Sequence, residues 1–215
     1  MKMTVNLSML LAGVLAFLFS LSEAVGQARR VTAPGAAGAV AAVQPAAGKE
    51  GIVIRKMEAT GPATKIRTPE IKNDANEPQA QVKDWARISV QYETDAEWID
   101  ELEFRYTVVV KNPKLNGPSA FTMFPATVTY VDIPKGKRHL STVFLRPNTI
   151  ERYGFVEWAG VKVYIRGEQV AVAQMPDDQR PWTISYKTKE GVLLNRSQTP
   201  FALVAIDNYE AIKPK

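Results

Sequence analysis

His139 is the one histidine of the chain, so a serine relay would have to pass through it. Ser119 or Ser141 would be the nucleophile, with a carboxylate distant in sequence. Imidazole is the side chain best suited to moving a proton near neutrality, yet nothing around it completes a catalytic signature. The chain contains no Gly-x-Ser-x-Gly elbow and no Ser-x-x-Lys dyad. His139 follows Gly136-Lys137-Arg138 at the expected start of a strand, where an exposed or edge histidine is ordinary. No catalytic residue and no cofactor is assigned, and the expectation is a protein that is not an enzyme.

Carboxylates and indoles supply the remaining candidates. Glu93, Asp95, Glu97, Asp100 and Glu101 crowd one short connection. Clustered oxygens can hold calcium, and Asp95, Glu97 and Asp100 are the candidate ligands. Their spacing matches no known loop, however, and no glycine provides a sharp turn, so a solvated acidic connection facing Lys or Arg is the alternative. Trp98 lies in the same connection and is the tryptophan expected to be exposed. Its flat apolar ring could stack on a sugar, whereas Trp182 shares parity with Ile184 and Tyr186 and is expected to face the core. Asn195-Arg196-Ser197 matches the glycan acceptor pattern, a short motif that arises readily by chance.

The elements that position these residues read as β. In Arg87-Ile88-Ser89-Val90-Gln91-Tyr92 the apolar side chains fall on even numbers, and Leu102, Phe104, Tyr106 and Val108 repeat that parity. Period two puts each set on one face of a strand, and their closeness predicts two neighbouring antiparallel strands with one wet face. Ile52 to Glu58 makes an earlier strand. Phe121 to Val131 and Leu140 to Arg146 make two more, joined by a turn at Pro134-Lys135-Gly136-Lys137. Pro125 marks an edge or a bulge.

Pro147 to Gly154 predicts a single helical turn stopped by glycine. Val161–Arg166 and Gln169–Ala173 form a hairpin, with Gly167-Glu168 as a type II′ turn. Trp182–Tyr186 and Phe201–Ile206 are the last strands. About seven to nine short strands with one helical turn point to an all-β antiparallel sandwich.

Three segments divide the chain. Residues 1–24 read as a secretory signal, with Lys2 ahead of the apolar run Met9–Phe19 and a small-x-small site at Ser22-Glu23-Ala24. Residues 25–50, rich in Ala, Gly and Pro, bury too little to offset their ordering entropy and read as a flexible linker. Residues 51–215 are the expected sandwich.

The absence of cysteine excludes thiol nucleophiles, thiolate metal sites and disulfides. The net charge of +5 is spread among carboxylates, so nucleic acid is not an expected partner, and neither is a small-molecule substrate. Membrane association is expected to be indirect at most.

Three stretches carry a family resemblance: Trp85-x-x-Ile88-x-Val90-x-Tyr92, Glu97-Trp98-Ile99-Asp100-Glu101-Leu102-x-Phe104-x-Tyr106, and Asn195-x-Ser197-x-Thr199-Pro200-Phe201-Ala202. The chain resembles the exported immunoglobulin-like proteins of Verrucomicrobia, in particular one encoded beside the type IV pilus-like genes of Akkermansia muciniphila. The resemblance implies an immunoglobulin-like sandwich and an accessory or structural role in a pilus-like envelope assembly, in the periplasm, at the outer membrane or on the cell surface. The implied partners are other envelope or pilus-like proteins, a second copy of the chain included. It carries over no functional residue. A pilin keeps its apolar N-terminal helix, whereas here the apolar run precedes a cleavage site, so an accessory component fits better than a polymerising pilin. A surface carbohydrate-binding module is the alternative function.

Overall fold

The computed structural model describes residues 51–61, 64–69, 82–177 and 185–214. The expected signal and linker, and Trp182, lie outside the described residues. The elements are β1 (Ile52–Glu58), β2 (Lys65–Arg67), β3 (Asp84–Lys111), β4 (Phe121–Leu145), α1 (Pro147–Tyr153), β5 (Phe155–Ile165), β6 (Glu168–Met175), β7 (Lys187–Thr188), β8 (Leu194–Asn195) and β9 (Ala211–Ile212).

β3 and β4 form one long antiparallel ribbon, from Ala86 opposite Leu145 to Lys111 opposite Phe121. Its two halves serve different layers. β1 and β2 pair with the first half of β3, and β8 pairs with the last residues of β4. β5 pairs with the second half of β3 and β6 with β5, while β7 and β9 flank the first half of β4. The sheet is therefore continuous, in the order β6-β5-β3-β4-β7, and it folds over so that β1 lies near β6. The fold is an all-β, immunoglobulin-like sandwich.

Even-numbered side chains of the ribbon fill the interior as their parity predicts. Ile88, Val90, Tyr92, Leu102, Phe104, Tyr106 and Val108 are all buried. Burying one such side chain stabilises by about 1.5–3 kcal/mol. The rings add directional contacts: Phe104 meets Tyr130 edge-on at 5.6 Å and Tyr92 at 5.1 Å. The opposite face is drier than expected, because Ser89 and Val109 are buried as well.

Several expectations are corrected. Residues 87–92 and 101–108 belong to one strand and pair with β4 instead of with each other. The expected turn at Pro134–Lys137 is likewise interior to β4. Alternation gives the face of each run but cannot tell a turn from a kink that stays extended. The hairpin between β5 and β6 turns at Arg166-Gly167, since Ile165 pairs with Glu168. Both turn residues have positive φ, +50° and +85°, as a type I′ turn requires and a type II′ turn does not. Phe201–Ile206 forms turns, with Ala205 at φ +50°. Phe201 itself is buried against Trp85 and Phe144.

The helical turn stands as read. Pro147 opens α1 and Gly154 closes it at φ +96°. A Cβ on Gly154 would lie 1.9 Å from the Lys111 carbonyl oxygen, so glycine alone fits there.

Candidate functional site

The acidic connection is a bulge in the middle of β3. Thr94 lies opposite Gly136 and Trp98 opposite Pro134, so four steps on β3 face two on β4. The two extra residues push Asp95, Ala96, Glu97 and Trp98 outward, and all four are exposed. Trp98 is 65% exposed and lines a hollow of about 700 Å³ together with Gly51, Asp95, Asp100, Ile165 and Arg166.

The candidate calcium ligands are divided: Asp95 and Asp100 face this hollow and Glu97 does not. No group of three acidic, histidine or cysteine side chains converges to hold a metal ion among the described residues. Three carboxylates of the stretch instead meet cations of other segments. Glu93 pairs with Arg55 at 2.6 Å, Asp100 with Arg166 at 3.9 Å, and Glu101 with Lys213. The Arg55 hydrogen bond holds the Glu93 carboxyl below its ordinary pKa. Trp98 stacks on no second ring among the described residues.

His139 is buried, contrary to the expected exposed edge position. Its Nδ1 lies 2.6 Å from Glu210 Oε1 and its Nε2 lies 3.1 Å from Thr94 Oγ1. The ring also stacks on Tyr92, with centroids 5.1 Å apart. Carboxylate, imidazole and hydroxyl thus stand in file, the order of a catalytic relay. The hydroxyl, however, is committed to the backbone. Thr94 Oγ1 donates to the Pro134 carbonyl at 2.8 Å and accepts from Gly136 N–H at 2.9 Å, and Thr94 is buried. The array pins the kinked ribbon to the segment that leads into β9. Neither serine considered for a relay reaches His139: Ser119 donates to the Asn116 carbonyl, and Ser141 accepts from the Tyr106 hydroxyl.

A protein-family model matches residues 49–215, which spans the whole sandwich just described. The chain belongs to the family of that model. A crystal structure of a protein from Akkermansia muciniphila superposes with a TM-score of 0.63 at 23% identity. The match covers 80% of this chain and 99% of that one, and at this identity it supports the fold. No curated protein matches the sequence.

Within this family member, sequence reasoning missed the surroundings of Arg196. Asn195, the first residue of the chance-prone glycan acceptor pattern, is buried. Its side-chain oxygen accepts from Gln198 N–H at 3.2 Å and from the Ser197 hydroxyl at 2.7 Å, while Gln198 Oε1 accepts from Asn195 N–H. This is a capping box, and the signal for it was present as Asn-x-x-Gln. The cap starts a short 3-10 turn that buries Arg196, whose guanidinium lies 3.5 Å from the centre of the Tyr209 ring.

Proposed function

We propose that the protein is an exported, non-enzymatic structural component of a pilus-like envelope assembly that joins partner proteins by strand addition at an open edge of β4. The reading rests on the family membership, on an apolar N-terminal run with a cleavage pattern, and above all on that edge. On the side of β4 facing away from β3, β7 covers Thr122 and Met123 and β9 covers Tyr130 and Val131. Phe124 to Val128 has no strand beside it there among the described residues.

The direction of the main chain follows from two hydrogen bonds. The carbonyls of Met123 and Thr129 accept from Lys189 and Lys213, so odd-numbered residues of this regular stretch point their backbone groups outward. Pro125 therefore costs the ribbon no ladder bond. It removes one donor from the edge, which limits indiscriminate pairing, and leaves Thr127 N–H as the donor between β7 and β9. A partner strand would use that donor together with the carbonyls of Pro125 and Thr127.

Thr127→Pro tests the mechanism, because it deletes the outward donor and keeps the bonds to β3. A photo-crosslinking residue at Met123 of the full chain, in the native cell, should capture envelope proteins. The same chain carrying Thr127→Pro should lose those adducts at an unchanged urea midpoint. Equal capture by both would sink strand addition at this edge.

Carbohydrate binding is kept as a second reading because Trp98 is exposed beside an open hollow. Glycan-array binding abolished by Trp98→Ala would favour it, and an array without signal would remove it.

A further inference from the structure

Arg196 is 6% exposed, and its guanidinium forms no ion pair and no hydrogen bond among the described residues. A guanidinium offers five N–H donors, and those of Arg196 are not sealed from solvent, so they stay reachable through the hollow that the side chain lines. Its one close partner is the face of the Tyr209 ring, 3.5 Å away. The cation lines a hollow of about 350 Å³, at the small end of ligand sites. Glu210 lines the same hollow, but its carboxylate is engaged by His139 at 2.6 Å.

The walls of the hollow define what it would accept. Leu203 and Ile206 line it and are 82% and 54% exposed, so the rim is apolar and open. β9 lies on another side. Lys213 N–H donates to Thr129 on β4 and Ile212 stands opposite Tyr130, so the alternation turns the Ile212 N–H and C=O away from β4. Ile212 also lines the hollow. A buried cation, an amide pair turned away from β4 and an apolar rim thus line one hollow.

We propose that this hollow binds the C-terminal carboxylate of a polypeptide ending in apolar residues. Arg196 takes the carboxylate, Ile212 pairs with the peptide backbone, and Leu203 and Ile206 cover the last side chain. The main chain of Ile212, turned away from β4, favours a peptide over a fatty acid, which has a carboxylate but no amides. This site does not depend on the β4 edge.

Calorimetric titration of the full chain with acetyl-Ala-Val-Leu, its C-terminal amide and decanoate tests the site. The free-acid peptide should bind at least about tenfold more tightly than the amide, the margin for one charge-assisted contact. Arg196→Met should erase that preference. Leu203→Glu, on an exposed rim position that leaves folding unaffected, should weaken the free acid if Arg196→Met does not fold. Equal affinity for acid and amide, or no binding of either, would overturn the proposal. Decanoate binding without peptide binding would overturn it as well and assign the hollow to lipid acids.

Discussion

A Cβ added at Gly136 would lie 2.5 Å from His139 Nε2 and 2.9 Å from its Cε1. The glycine is needed for the close approach of a ring, not for a turn. Gly136→Ala should therefore cost about 1–3 kcal/mol, read as a lower urea midpoint. In a His139→Ala background most of that penalty should vanish, and an unchanged penalty would mean that the ring is not what the methyl meets. Tyr92 gives the opposite sign. Its hydroxyl is buried without a hydrogen-bond partner among the described residues, so Tyr92→Phe removes an unsatisfied group and keeps the ring contacts with Phe104 and His139. Its midpoint should rise, by about 1 kcal/mol of stability; a clear loss would show that the hydroxyl has a partner in solution. At this scale the sequence displayed His139, Trp98 and the acidic residues as types. It did not display Thr94 or Glu210 as partners of His139, because they lie 45 and 71 positions away.

Among the elements, the hairpin between β5 and β6 carries a local conflict. Arg166 adopts a positive φ of +50°, a region in which asparagine is more at ease. Its ion pair with Asp100 is 3.9 Å long between largely exposed side chains and contributes little. Arg166→Asn should thus stabilise by about 0.5 kcal/mol, with an unchanged or lower midpoint counting against the assigned turn type. The first strand, the helical turn and the inward parity of β3 were all legible, because period two and the Pro and Gly stops are local signals. The continuity of β3 through Asp95–Glu97 was not. An acidic stretch without apolar alternation looks the same as a loop or as a bulge, and only pairing across to Pro134 and Gly136 distinguishes them.

For the molecule as a whole, the buried phenols make stability depend on alkaline pH. Desolvation raises the pKa of Tyr92 and Tyr106, and raises Tyr130 to about 12 from the ordinary 10.0. In the unfolded chain these groups release their protons near the ordinary value, while the folded chain still holds them. The stabilising contribution is therefore whole below that value and is lost as pH rises toward the folded-state pKa values. Urea midpoints should stay level up to pH ~10 and fall steeply by pH ~11.5. A flat profile across that range would contradict the burial of these rings.

Side-chain alternation by itself determined that this chain forms strands and which side chains of the ribbon face inward, since parity is a property of the local backbone. It also marked where an apolar leader would lie. Only the tertiary structure decided that two expected hairpins are one bent ribbon shared by both layers. It alone left Phe124 to Val128 of β4 without a neighbouring strand between β7 and β9 among the described residues, and set Arg196 against the Tyr209 ring. Each of those facts joins residues far apart in the chain, and periodicity carries no information about contacts at that separation.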